Sequence, residues 1–411
     1  MNIGFISFRF AGTDGVSLEA AKWVSVLEQQ GHRCFFFAGE LDTDPDRSLC
    51  VPEAHFSDPS TRALVADCFT SRARGKSTTD ALHELRSTLK SALYKFVRTF
   101  SLDVLVPQNI LAIPMNIPLA LAVTEYIAET GIPVVAHHHD FAWERQRFDT
   151  VLARDLLDYA YPPDLPSIRH VVINSIAQEQ LSYRRGLQST LVPNVMDYDQ
   201  PTRQPDAYNA TLRADLGIAD GTTLVLQPTR VVERKGIEHA IEFVSSLPDA
   251  VLVISHAAGD EGTEYAERLT SLSQRFGVRL LYADSFITDR RGTRSDGGKT
   301  YDLLDAYAVA DFVTYPSLIE GFGNAFLEAV HAKKPILVNR YAVYDRDIRP
   351  LGFRVTEMQG LLTEAAVQDA LQYMQQAELR CEATEHNFAS ARAHFSLEQL
   401  SDLLSVLFRF S

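Results

Sequence analysis

A strand, a glycine-bearing loop, a helix and a second strand follow one another at the start of the chain, and that order restricts the fold more than any other feature. Residues 3–8 (IGFISF) are a short apolar, aromatic-rich run. The polar stretch RFAGTDGVS comes next, then LEAAKWVSVLEQQGH, in which Leu18, Ala21, Val24 and Leu27 recur at helical spacing. RCFFFAG closes the unit. A strand regained through a helix belongs to a parallel sheet, because parallel neighbours cannot be joined by a tight turn.

The alternation continues. Apolar runs at 103–107 (DVLVP), 133–136 (PVVA) and 170–173 (HVVI) are separated by helical patterns such as 119–129, so the first half reads as one doubly wound α/β domain. A fresh start follows, with strands expected at 224–227, 251–254, 279–282, 312–315 and 335–338 and helices such as 238–246 and 302–310 between them. At 411 residues the chain exceeds the roughly 250 to 300 at which a single core stops growing, and its 46% hydrophobic content supplies two cores. The expected division is 1–197, 198–385, and a closing amphipathic helix within 386–411 that packs back on the first domain, with the proline- and aspartate-rich 193–207 as linker. Ligands of such sheets bind beyond the carboxyl ends of the strands, so the two domains are expected to face a cleft.

Charge and cysteine usage exclude several classes. A formal charge of -14 argues against a nucleic-acid partner. The four cysteines, Cys34, Cys50, Cys68 and Cys381, are far apart with no Cys-x-x-Cys, which suggests neither a zinc site nor a disulfide scaffold and fits a reducing, cytoplasmic setting. MNIGFISFRF has no basic region ahead of a long apolar run, so neither export by a recognisable signal nor integration into a membrane is expected.

Two stretches carry chemistry. In PSLIEGFGNAFLEAVHAKKP, residues 316–335, a strand should end near Pro316 and a helix begin near Asn324, which places Gly321 and Gly323 in the turn. Amides at a helix start bind phosphate, and glycines let a ligand approach closely. Glu320 precedes that turn and Glu328 lies about one turn inside the helix; carboxylates accept from vicinal hydroxyls, so a nucleotide-sugar is the ligand suggested. A glycine turn of plain geometry, with Glu328 on a solvated surface, is the alternative. The second stretch, LQPTRVVERKGIEHAIEFV at 226–244, carries Arg230 and Lys235 around a loop ending in Gly236. Those cations suit a departing diphosphate, and a solvated charged loop is the alternative.

Together the two stretches resemble the retaining nucleotide-sugar glycosyltransferases of the GT-B class, family 4. That family has a strand followed by an Arg and a Lys-Gly, here Arg230 and Lys235-Gly236, and later a Pro-Ser, here Pro316-Ser317, leading into two glutamates, here Glu320 and Glu328. VPNVMD at 192–197 resembles its interdomain segment, normally Pro-Asn-Gly-x-Asp, with Val195 in place of the glycine. The resemblance implies that Arg230 and Lys235 hold the donor diphosphate, Glu320 binds hydroxyls of the transferred sugar, and Glu328 binds the ribose. It implies that the amides of Gly321, Phe322, Gly323 and Asn324 complete the phosphate site. The loop with Gly12 and Gly15 would face the diphosphate and acceptor, although relatives often carry a Gly-Gly pair where this chain reads Gly-Thr-Asp-Gly. His139-Asp140, at the end of the strand in IPVVAHHHDFAWERQRF, resembles the family's His-Asp pair, with the histidine beside the reacting sugar. Alternation puts His137 and His139 on one side of that strand and His138 on the other. Asp14, Asp140 and Arg145 are the acceptor-side candidates, with Trp143, Glu144 and Arg147 close by. No metal or other cofactor is required. The base-reading segment is placed near Ser255 to Gly259, with no residue that decides between uridine and guanosine.

Residues 71–98 hold seven Lys or Arg against Asp80 and Glu84, while Leu82, Leu85, Leu89, Leu93 and Phe96 recur at helical spacing. A core helix with solvated cations is the first reading, binding of a small anionic acceptor the second and contact with anionic lipid the third. The function expected is transfer of a hexose, with retention, from a UDP- or GDP-sugar to a hydroxyl of a small polar or anionic acceptor. A sugar-nucleotide epimerase or hydrolase of the same architecture, and a non-catalytic nucleotide-sugar-binding protein, are the alternatives.

Overall fold

The computed structural model describes residues 1–12, 14–70, 72–149, 152–256 and 264–410. It divides into two compact units, 1–194 together with 397–411, and 195–396.

The first unit is built on a seven-stranded sheet in the order Ser48–Cys50, Arg33–Ala38, Asn2–Ile6, Val104–Pro107, Val134–His138, Ile168–Val172, Ser189–Leu191. Every adjacent pair is parallel. The strand order reverses between Asn2–Ile6 and Val104–Pro107, which is the switch point where such sheets take ligands. The helix Gly15–Gln29 starts where Asp14 accepts from the amides of Val16 (3.1 Å) and Ser17 (3.2 Å).

The basic segment of 71–98 forms most of a 25-residue helix, Lys76–Phe100. Leu82, Leu89, Leu93 and Phe96 are buried in the core of this unit. Its cations are not simply solvated: Arg86 pairs with Glu125, and Lys90 with Glu125 (3.0 Å) and Glu129 (2.7 Å), on the helix Ile117–Thr130. Two of the groups that could have met an anionic acceptor are therefore engaged within the protein.

The second unit repeats the plan with six parallel strands in the order Arg279–Tyr282, Ala250–Ile254, Thr223–Gln227, Phe312–Tyr315, Ile336–Asn339, Thr356–Met358. Its switch point lies between Thr223–Gln227 and Phe312–Tyr315. These two Rossmann-like units are the expected fold.

The closing segment differs in detail from the expectation of one helix within 386–411. Residues up to Phe395 end the helix Ala377–Phe395 of the second unit, and a separate helix, Leu397–Leu407, packs on Gly15–Gln29 in the first. The break is at Ser396, whose extended backbone pairs with Met196 in a bridge closed by the Met196 amide on the Phe395 carbonyl at 2.8 Å. Among the described residues no helix is long and apolar enough to cross a membrane.

Candidate functional site

In the second unit the loops after the two switch-point strands meet through a glycine. Gly236 has φ +58°, and a Cβ there would stand 2.5 Å from the Pro316 carbonyl oxygen. A side chain at 236 would push the loops apart, so the Lys-Gly pair is also a packing requirement. The Leu318 amide donates to the Arg234 carbonyl at 2.8 Å and fastens the same loops a second time.

That docking brings Lys235 onto Glu320. The Lys235 ammonium donates to Oε1 of Glu320, and Arg234 Nη1 holds Oε2 at 3.0 Å and the Ile319 carbonyl at 3.2 Å. Both members of the Lys-Glu pair are nearly enclosed, with side-chain exposures of 11% and 9%. Burial pushes the Glu320 carboxyl up, but Lys235 and Arg234 together outweigh it and hold the pKa below the usual range. Burial pulls the Lys235 ammonium down, opposed by Glu320 and reinforced by Arg234 and Arg230. Arg230 itself is exposed, near the start of the loop that follows Thr223–Gln227. Its charge also reaches His256, whose pKa is lowered first by burial and then by that guanidinium. Two cations on one carboxylate, with Arg230 close enough to act on Lys235, leave a surplus of positive charge where a diphosphate could sit.

The turn after Phe312–Tyr315 has the expected form. Gly323 (φ +139°) precedes the helix Asn324–His331 and provides no capping side chain. A Cβ on it would lie 2.3 Å from the Tyr341 hydroxyl, which donates to the Phe322 carbonyl at 2.7 Å. Phe322 is buried and packs edge-on against Phe395, while Gly321 is exposed. Glu328, half-buried on the helix, accepts from the Tyr307 hydroxyl at 3.1 Å. The proposed base-reading segment is described only through His256; Ala257 to Gly259 lie outside the described residues.

In the first unit the histidines sort as alternation requires. His137 Nδ1 and His139 Nε2 both reach Gln108 Oε1, at 3.0 and 3.1 Å, whereas His138 Nε2 lies 2.9 Å from His170 Nδ1. Asn109 (φ +61°) joins this arrangement to the acidic end: its Oδ1 accepts from the His139 amide at 2.9 Å and its Nδ2 donates to Asp140 at 2.6 Å. Burial pushes His139 down to about 4 despite the carboxylates of Asp140 and Asp14, so its imidazole is neutral at pH 7. Among the described residues no three His, Cys, Asp or Glu side chains gather as a metal-holding group.

The acceptor-side candidates already have partners. Asp14 caps its helix and pairs with Arg9 at 3.1 Å, Gly15 is the first residue of that helix, and the loop glycine Gly12 donates to Asp42 at 3.2 Å. Arg145 pairs with Asp140 at 2.8 Å. Trp143 Nε1 donates to Gln180 at 2.7 Å, Glu144 accepts from the Phe141 amide at 2.9 Å, and the Arg147 guanidinium lies 4.6 Å from the Phe148 ring centre. Sequence reasoning passed over Arg234, counted only among loop charges, and Gln108-Asn109. The second pair had a usable signal: two amide side chains directly after a strand at the switch point.

A scan against models of known protein families finds no match. By sequence the chain is similar to two proteins named mannosylglucosylglycerate synthase. That of Thermotoga maritima is 34% identical, with 98% of this chain and 99% of the relative covered. That of Petrotoga mobilis is 33% identical over 87% of this chain and 86% of its own length. By structure it is similar to sucrose-phosphate synthase from Thermosynechococcus elongatus, with a TM-score of 0.66 at 15% identity over 99% and 98% of the two chains. Anabaena HepE, solved in complex with UDP and glucose, gives a TM-score of 0.66 at 15% identity over 99% of both chains. Identities that low speak for the fold alone.

Proposed function

The chain belongs to the mannosylglucosylglycerate synthase family, glycosyltransferases of the GT-B fold, and from that premise we propose that it transfers a hexose with retention from a nucleoside-diphosphate sugar to a small anionic acceptor. The relatives' name describes a mannosyl group on glucosylglycerate, and the same transfer is proposed for this chain. The observation that carries the reading is the cluster of Lys235, Arg234 and Glu320 at the carboxyl ends of the two switch-point strands, with Arg230 close enough to disturb Lys235.

In the proposed reaction the bond from the anomeric carbon to the diphosphate breaks and the nucleoside diphosphate leaves with the electron pair. The acceptor hydroxyl bonds to that carbon on the same face, and its proton passes to a phosphate oxygen of the leaving group. Arg230 and Lys235 offset the charge growing on the diphosphate. Glu320 receives sugar hydroxyls; a carboxylate held by two cations is a poor nucleophile, which supports same-face attack over a covalent sugar-enzyme intermediate. Glu328 takes the ribose, and amides of Gly321 to Asn324 take phosphate oxygens. Neutral His139 gives polar contact to the reacting sugar, and Asp140 with Arg145 contributes to the acceptor side. A cytoplasmic setting, no cofactor beyond the substrates and no nucleic-acid partner complete the proposal.

The test is incubation of the purified protein with UDP- and GDP-hexoses, with and without glucosylglycerate, reading nucleoside diphosphate release and the anomeric configuration by NMR. Acceptor-dependent release with an α-linked product from an α-linked donor is expected. An altered hexose formed without acceptor would make it an epimerase, free hexose a hydrolase, and binding without release a non-catalytic protein; each overturns the reading.

A further inference from the structure

The donor residues proposed above stand at the carboxyl ends of the second sheet, and a separate concavity lies at the opposite ends of the same strands. Thr223 opens its strand, Asp311 immediately precedes Phe312–Tyr315, and Pro335 immediately precedes Ile336–Asn339; all three line a cavity of about 730 Å³. That volume is within the ordinary range for a small-molecule site.

Its charge is lopsided. Arg213, Lys333, Lys334 and Arg380 line it against one carboxylate, Asp311. Asp311 is taken by Arg213, and Lys333 is neutralised by Glu385 at 2.7 Å. Lys334 and Arg380 form no ion pair among the described residues. Lys334 Nζ donates to the Ala308 carbonyl at 3.0 Å, and Arg380 Nη1 to the carbonyls of Tyr373 (3.2 Å) and Met374 (2.9 Å). Those carbonyls lie in the last turns of the helices Leu303–Val309 and Glu364–Gln375, a place that suits cations. Closing the helix ends uses only part of what the side chains offer, since an ammonium has three donors and a guanidinium five.

We propose that this cavity binds a small phosphorylated anion, held by Lys334 and Arg380 at its charged end. A phosphate monoester carries about -1.5 to -2 at neutral pH and so matches the two cations that form no ion pair among the described residues. The crowding is felt by Lys334: burial, with Arg213 and Arg380 adding to it against Asp311, pulls its ammonium down to about 8. A bound anion would relieve that repulsion.

The probe is inorganic phosphate, titrated at constant ionic strength against chloride, without sugar donor or acceptor, and read by calorimetry and thermal shift. Binding to the unaltered protein is expected, weakened at least tenfold in Lys334→Met and in Arg380→Gln and unchanged in Arg230→Ala. Circular dichroism and an unchanged transferase rate identify folded variants, and either of the two cavity variants suffices if the other fails to fold. Absence of binding, binding undiminished in a folded cavity variant, or binding abolished by Arg230→Ala, which would place the phosphate among the donor residues, each overturns the proposal.

Discussion

Gly236 lies against the Pro316 carbonyl so closely that no side chain fits: an added Cβ would approach that oxygen to 2.5 Å. This contact aligns the loop carrying Lys235 with the loop carrying Glu320. In Gly236→Ala the left-handed backbone alone costs about 1–2 kcal/mol, before the clash is counted. The expected result is a lower unfolding temperature together with at least a tenfold loss of transfer rate, measured by calorimetry and initial rates. A variant with both unchanged would show that the loops do not depend on this contact.

Removing Lys235 takes away the cation best placed to stabilise a departing diphosphate. Lys235→Ala is expected to lower the rate about 10²-fold or more at saturating donor. Arg234→Gln frees one oxygen of Glu320 and leaves the lysine in place, so a smaller loss, about tenfold, is expected, seen mainly as a higher KM for donor. Full turnover by Lys235→Ala would remove the lysine from the mechanism.

Acid should weaken the first unit before it disturbs the Lys235-Glu320 pair. Burial keeps His138 well below 6.5, and pushes His170 down to about 4, partly opposed by Asp164. These imidazoles stay neutral in the fold and take up protons when the chain unfolds, so stability falls as pH drops from 6.5 toward 4. Each such group contributes a slope of about 1.4 kcal/mol per pH unit. Glu320, with its pKa also lowered, has linkage of the same sign in a lower window: its contribution is present above the carboxylate value of 4.5 and is lost only as pH falls below it. Urea unfolding at pH 6.5, 5.5 and 4.5 checks this, and His170→Gln is expected to flatten the slope by about one group's share. A stability independent of pH over that range would contradict the buried neutral pair.

The basic helix Lys76–Phe100 should not hold the protein on anionic vesicles at physiological salt, because Arg86 and Lys90 are engaged by Glu125 and Glu129. Sedimentation with phosphatidylserine vesicles measures this. Glu125→Gln with Glu129→Gln frees those cations and is expected to increase sedimentation, with little change in stability, since ion pairs near the surface contribute little. Strong binding by the unaltered protein would revive the lipid reading.

The central strands were legible as apolar runs because parallel strands buried on both faces have little choice of residue. The edge strands Ser48–Cys50, Ser189–Leu191 and Thr356–Met358 were not: three residues each, they are strands because a neighbour provides the ladder. Lys235-Gly236 and the Glu320-Glu328 spacing could be seen in the chain, in two loops that the fold brings together at Gly236 and Pro316. Arg234 could not, since its partner is 86 positions away and a charged loop residue looks the same whether it meets a carboxylate or water.

By itself, then, the sequence determined the order of strand and helix, the presence of two sheets, and the residue types after each strand, because these follow from local periodicity and from what helix starts and tight turns permit. Tertiary structure alone decided which of those residues carry an enclosed charge. Asp14 became a helix cap, Arg145 was taken by Asp140, Arg86 and Lys90 were taken by a neighbouring helix, and Lys235 was drawn with Glu320 into a nearly closed pair. Pairing and burial depend on groups distant in sequence, and the energy of a charge depends on that surrounding far more than on its position in the chain.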